Sequence, residues 1–217
     1  MKNLLIKDFR LSASALTYAF IAASLMTMLP GYPILMGAFF VCLGLFHSFQ
    51  NGRETNDILY TVLLPIPKGD VVRAKYIFTC TIQMLSFVPM ALLTILRMTT
   101  LGNAEVYRTN ALMNAGPLYL AFVLLVFAAF NTLFLRLFFK SAYRIGVPFL
   151  VFCIVTLVLV AVGESLHFFP KLAFLNIPTG ERLELQLPIL GIAVLAYAML
   201  TWLSCRSSIK QFEQLDL

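Results

Sequence analysis

Charge is what this sequence lacks most. Asp, Glu, Lys and Arg make up only 12% of the 217 residues, about half the share in an ordinary soluble domain. Hydrophobic residues make up 60%, and the mean hydropathy is +0.89. This excludes a water-soluble globular protein. No stretch between the apolar runs is long enough for a separate aqueous domain, so residues 1–217 read as one membrane domain. Cysteine is sparse too. Cys42, Cys80, Cys153 and Cys205 lie in or at the ends of apolar runs with no C-x-x-C pair, which speaks for small packing residues and against a disulfide framework or a zinc site.

The chemistry that would mark an enzyme is missing as well. His47 and His167 belong to no H-E-x-x-H pattern and are assigned to opposite membrane faces, and Ser165 sits in no G-x-S-x-G elbow. No residue is assigned a catalytic or metal-binding role. Without a G-x-x-x-x-G-K-[ST] loop the chain has no P-loop of its own for ATP. The central turns of the apolar runs hold no charged residue, whereas an ion-coupled carrier usually shows one at its coupling site. The deepest polar groups are Gln83 and Asn131. They are weak candidates for a substrate path, and the commoner use of such amides is hydrogen bonding between helices.

What the sequence does have is six apolar runs, at about 12 to 29, 32 to 49, 76 to 100, 116 to 138, 146 to 166 and 187 to 204. Each is long enough to cross roughly 30 Å of hydrocarbon as a helix. Lipid requires the backbone to satisfy its own hydrogen bonds, and no alternating barrel pattern is present, so an all-α membrane protein is expected. No A-x-A-like cleavage site follows the first run, which reads as retained. Pro30-Gly31-Tyr32-Pro33 predicts a tight turn that makes the first two spans a hairpin.

Six spans place both termini on one side. That side carries twelve basic residues (Lys2, Lys7, Arg10, Arg53, Lys68, Arg73, Lys75, Arg136, Lys140, Arg144, Arg206 and Lys210), the other only Arg97, Arg108, Lys171 and Arg182. Twelve against four predicts cytoplasmic termini in a cell membrane. The net charge of +6 thereby belongs to a face that meets anionic lipid, and nucleic acid is not an expected partner. The outer segment 167 to 186, with Phe168, Phe169 and Phe174 beside Lys171, is expected to lie at the interface.

The long inner loop, residues 50–75, carries most of the polarity outside the spans. Asn51 and Glu54 have the spacing of a capping box, and Pro65 ends the segment they open, which predicts a helix of about three turns. Its apolar stripe is Ile58, Leu59, Val62 and Leu63, leaving Glu54, Asn56, Asp57, Tyr60 and Thr61 off the stripe. Asp70 is placed to cap the next helix, and Arg73 and Lys75 to snorkel toward headgroups, so that Pro65, Asp70, Arg73 and Lys75 join the loop stiffly to the third span.

Asn56-Asp57, Leu59-Tyr60, Leu64-Pro65-Ile66, Asp70-Val71-Val72 and Lys75-Tyr76 together resemble the membrane permease subunits of type-2 ABC exporters, in particular short bacterial six-span permeases with a separately encoded ATPase. The resemblance covers the whole plan of the chain. It implies an N-terminal interfacial elbow helix over Lys2 to Leu11, with Leu4, Leu5, Ile6, Phe9 and Leu11 toward lipid and Lys2, Lys7 and Arg10 near phosphates. It also implies a cytoplasmic coupling helix over Arg53 to Leu64 that docks on the ATPase through Arg53, Glu54, Asn56, Asp57, Tyr60 and Leu64. Two P-loop ATPase subunits, with ATP and Mg in them and none in this chain, and a second permease, identical or related, are the implied partners beside membrane lipid. The implied activity is ATP-driven export by alternating access. An apolar, Phe-rich wall suits amphipathic cargo, a peptide first. A non-transporting membrane anchor or regulatory subunit stands as the alternative, and an ion-coupled carrier behind it.

Overall fold

The computed structural model describes residues 2–102, 104–108, 114–141, 144–169 and 183–215, apart from the side chains of Arg108 and His167. Every regular element among them is helical. In chain order these are α1 (Lys2–Ser12), α2 (Ala15–Met28), α3 (Met36–Glu54), α4 (Asp57–Val62), α5 (Lys68–Thr99), α6 (Glu105–Arg108), α7 (Pro117–Ser141), α8 (Gly146–Ser165), followed by a 3-10 turn over Leu166–Phe168, and α9 (Leu183–Glu213). The expected interfacial segment lies mostly outside the described residues, as do Lys171 and Arg182.

Four helices, α5, α7, α8 and α9, are long and apolar enough to cross a membrane. α1 and α2 meet at 92° and make a fifth span if the bent pair counts as one. The turn of the chain falls at Ala13, which is extended, and Ser14 then caps α2 by accepting from the Leu16 amide. Nine residues of α2, Phe20–Met28, are wound as a 3-10 helix. At about 2.0 Å rise per residue there and 1.5 Å in the α-helical turn before it, 14 residues reach about 25 Å. α3 falls short of the same measure because its last turn and a half is Gln50-Asn51-Gly52-Arg53-Glu54, continuous with the apolar part. The run at 32 to 49 therefore shows up as a helix whose apolar part carries on into a polar end.

The predicted hairpin forms. Gly31 takes φ +76 in the Pro-Gly turn, a conformation open to glycine at no steric cost. α3 then lies close against α2: a β-carbon on Gly37 would stand 2.8 Å from the Ala23 carbonyl oxygen, and one on Gly44 3.0 Å from Phe20 Cβ. The approach lets Thr17 Oγ1 donate to the Gly44 carbonyl at 2.6 Å and Ser48 Oγ accept from the Ser14 amide at 3.0 Å. Small residues at a helix seam, with hydroxyls tying backbone across it, are the means by which helices associate without a hydrophobic drive.

α3, α7 and α8 share a phenylalanine core. Phe46 stacks on Phe149 with centroids 4.0 Å apart, and Phe134 meets Phe49, Phe130 and Phe138 at 5.3, 4.7 and 6.0 Å. These rings are packed on one another, so the Phe content expected to suit cargo is in large part interhelical filling. α9 runs along α7 and α5. In α5 the buried basic residues Lys75 and Arg97 bracket the apolar stretch; their 22-residue separation spans about 33 Å, the thickness of a hydrocarbon core. At the Arg97 end the guanidinium donates to the Thr27 carbonyl at 2.6 Å and lies over the Tyr107 ring, whose hydroxyl donates to the Met28 carbonyl at 2.9 Å. Both serve carbonyls that the end of α2 leaves without helical partners.

Candidate functional site: the charged junction of α1, α4 and α5

The loop after α3 departs from its sequence pattern in three places. Asn51 and Glu54 form no capping box. α3 runs through both, the Asn51 carbonyl accepts from the Thr55 amide and hydroxyl at 2.9 Å, and the Glu54 carboxylate takes a bond from Gln50 at 3.3 Å. An Asn-x-x-Glu spacing is equally one turn of a helix interior, and here the preceding helix did not stop. The break comes at Asn56, whose backbone sits in the left-handed region at φ 51 and ψ 32, a conformation asparagine tolerates better than most residues. The expected three-turn helix is thereby split into the end of α3 and the six residues of α4.

The stripe is rotated as well. Ile58 and Thr61 are buried, while Leu59, Tyr60, Leu63 and Leu64 are exposed, Leu63 at 81% and Tyr60 at 68%. The reason is the left-handed turn, which sets the phase of α4 against α1 and α5 independently of its own apolar count. Finally, α5 begins at Lys68 after Pro67, so Asp70 is inside the first turn instead of at the cap. There its carboxylate complements the helix dipole and accepts from Arg73 at 3.1 Å. Pro65 and Pro67 flank Ile66 and bound the link between the two helices.

At this junction four charges meet. Lys75 Nζ donates to Asp8 Oδ1 at 2.7 Å and to Asp57 Oδ2 at 2.9 Å. Lys7 Nζ reaches the other Asp57 oxygen at 2.7 Å and Thr61 Oγ1 at 2.6 Å. Ser12 Oγ bridges the two carboxylates, 3.3 Å from Asp8 Oδ1 and 3.1 Å from Asp57 Oδ2. A wide π turn over Asp8–Ser12 allows this by bringing Asp8 and Ser12 onto one face, its ring closed by the Ala13 amide on the Asp8 carbonyl at 2.8 Å. Lys75 does not snorkel to headgroups: it is only 5% exposed, because two carboxylates meet it inside. Lys7 likewise turns to Asp57 instead of to phosphate, and Leu4 is buried under α1 instead of facing lipid. Phe9 packs edge-on against Phe78 of α5 at 5.0 Å.

Two positive and two negative groups cancel, which is how charges are retained away from water. Burial pushes the Asp57 carboxyl up, but the nearby Lys75 and Lys7 ammonium groups outweigh it and hold the group below its usual value. The junction is chemically inert and mechanically tight: one carboxylate of α4 is gripped from α1 and from α5 at once.

Of the residues singled out in the loop, Arg53, Glu54, Asn56, Tyr60 and Leu64 are exposed, and Asp57 faces inward. Leu59, Tyr60, Val62 and Leu63 with Asn56 line a shallow recess of about 300 Å³ on the free face of α4. Lys7, Asp8, Ser12 and Thr61 were not singled out for this junction. The available signal was an acid between Lys7 and Arg10 in an otherwise basic amphipathic segment.

Gln83 and Asn131 come together elsewhere, deep between α5 and α7. Their amides pair reciprocally at 3.0 and 3.1 Å, Tyr197 donates to Gln83 Oε1 at 2.8 Å, and Asn131 donates to Thr201 Oγ1 at 3.0 Å. A π turn over Phe130–Leu135 presents the Asn131 carbonyl to Ser204 Oγ at 2.8 Å and to Tyr76 at 3.3 Å. Both amides are fully buried, and every bond named crosses between helices. Among the described residues, no group of His, Cys, Asp and Glu is arranged to hold a metal ion.

Residues 3–213 match the family described as ABC-2 family transporter protein. No curated protein and no solved structure matches the chain.

Proposed function

The chain belongs to the ABC-2 transporter family, as the membrane permease component of such a transporter, and from that premise we propose that α4 is the coupling helix through which an ATPase subunit moves the spans. The observation that carries this is the junction of Lys7, Asp8, Asp57 and Lys75, with bonds of 2.7 to 2.9 Å tying α4 to α1 and to the base of α5. A push on α4 has no slack to take up before it reaches α5. The opposite face, with Leu59, Tyr60, Leu63 and Leu64 exposed beside Arg53 and Glu54, is the docking surface. Asp57 then acts behind that surface as its anchor.

In this reading α1 is the elbow helix and α3 the second of six spans. Both termini are cytoplasmic, since the junction and twelve of the sixteen basic residues share that end. Two ATPase subunits carry ATP and Mg, and a second permease completes the pathway in the cell membrane. ATP drives alternating access only by favouring one of two packings of the permease pair. The cargo is amphipathic, a peptide first, and leaves the cytoplasm. What supports this class is the absence of charge from the span interiors.

Mild-detergent purification of the tagged chain from its native membrane, with the associated proteins identified, is the test. Recovery of a P-loop ATPase that is lost in a Tyr60→Ala/Leu63→Ala variant, with that variant as stable as the wild type, is the expected result. Asp57→Asn should retain the ATPase while ATP-dependent transport in vesicles falls. Recovery of no ATPase, under conditions that preserve a known ABC transporter, overturns the reading.

A further inference from the structure

α5 and α9 part along one side to leave two recesses in line. The first, about 730 Å³, is almost wholly apolar and is lined by Ile77, Met84 and Val88 of α5 and by Ala198, Thr201 and Trp202 of α9, among others. From Ile77 to Val88 it follows α5 for eleven residues, about 16 Å, or half of a 30 Å hydrocarbon core. The second, about 610 Å³, continues it toward the charged end of the same seam and is lined by Arg73, Arg206, Lys210 and Glu213 with Leu203 and Ile209. The two are joined by Arg206, whose guanidinium lies 3.8 Å over the Trp202 ring.

The charges of the second recess are unevenly satisfied. Arg73 holds Asp70 at 3.1 Å, whereas no acid among the described residues pairs with Arg206 or Lys210. With Arg73 taken up by Asp70, two basic groups, Arg206 and Lys210, face one acid, Glu213, so the recess keeps a positive excess where the apolar groove ends. A groove one leaflet deep, closing on a guanidinium and an ammonium with no carboxylate partner, matches one molecule type in its surroundings: a lipid with a hydrocarbon tail and an anionic head.

We propose that the α5–α9 seam binds one anionic phospholipid, its acyl chain between Ile77, Met84, Val88 and Trp202 and its phosphate between Arg206 and Lys210, with Arg73 at the rim. The lipid bridges the two helices on the side away from α7. It is a resident of the permease, distinct from transported cargo, and its binding requires no ATPase.

The test uses the full chain in nanodiscs of phosphatidylcholine and phosphatidylglycerol in equal proportion, extracted into mild detergent, with retained lipid counted by native mass spectrometry. The expected result is retention of one phosphatidylglycerol in preference to phosphatidylcholine. Arg206→Gln/Lys210→Gln, both exposed positions, should reduce that preference by about tenfold. Ala198→Phe, which fills the groove without touching charge, should lower retention of both lipids. Glycerol phosphate added in solution should not displace the bound lipid; displacement by it would identify a free-anion site and overturn the proposal. Equal retention of the two lipids, or an unchanged preference in the double variant, would overturn it as well. So would disulfide trapping of two copies through Ala198→Cys, an exposed position of the groove, in a background with Cys80 and Cys205 changed to Ser, which would assign the seam to a second permease.

Discussion

The junction at Lys75 and the amide cluster at Gln83 lie only about two turns apart on α5, yet they bury polarity in opposite forms. Four full charges meet at the first, none at the second. At the end of the span the alternative for each charge is water or a headgroup, so gathering two lysines and two aspartates costs desolvation that mutual attraction recovers. In the middle of the span the alternative is hydrocarbon, where an ammonium is prohibitive and a carboxamide is not. The same helix therefore uses ions where it must be held to α1 and α4 and neutral donors where it must be held to other spans.

The difference can be broken most severely at Lys75. Lys75→Met leaves Asp8 with Ser12 and only the longer ion pair to Lys7 at 3.8 Å, and should destabilise the folded protein by about 3 kcal/mol, the lower end of the usual effect of removing one partner of a buried pair. Unfolding in a graded denaturing detergent measures it. Adding Asp8→Asn to that variant should recover much of the loss, because the charge balance returns; no recovery would show that Lys75 acts through its packing alone.

The corresponding change in the amide cluster is Asn131→Leu, with an expected cost of about 1 kcal/mol, the scale of interhelical hydrogen bonds in lipid. The Gln83→Leu/Asn131→Leu double variant should cost less than the sum of its parts in the same titration, since each amide is the other's partner.

Acid gives the smallest contrast. The Asp57 carboxyl titrates below its ordinary 3.8, so its share of stability is present above that value and is lost as the pH falls through the lower folded value. Melting temperature should hold steady from about pH 7 to about 5 and fall in stronger acid. Asp57→Asn should flatten the acid limb, whereas Asn131→Leu should leave it unchanged. An acid limb that survives Asp57→Asn would assign it to another carboxylate.

The same division separates the readable parts of the sequence from the unreadable ones. α5, α7, α8 and α9 were legible because a run of apolar residues long enough for hydrocarbon admits one structure. The loop into α5 was legible as helix, turn and helix, but the phase of α4 was not. The phase depends on a single left-handed residue, Asn56, and on the extra winding of the π turn at Asp8–Ser12, which no spacing rule registers. Lys75 looked like a snorkelling residue because its partners are 67 and 18 positions away, one of them hidden in a segment whose other charges are basic. Gln83 and Asn131 could be matched in advance only as a class. That they pair with each other, and that Tyr197 and Thr201 complete them, comes from the helix order.

The cancellation of charge at the junction has an electrical consequence. A single lysine carried across the membrane potential exchanges about 2.3 kcal/mol per 100 mV with it. Lys7, Asp8, Asp57 and Lys75 together carry no net charge, so the field does no first-order work when they shift as a unit. Any voltage that the α1–α4–α5 linkage feels as it moves then acts through the other charges of these helices, Lys2, Arg10, Lys68, Asp70, Arg73 and Arg97, and not through the junction that ties them together.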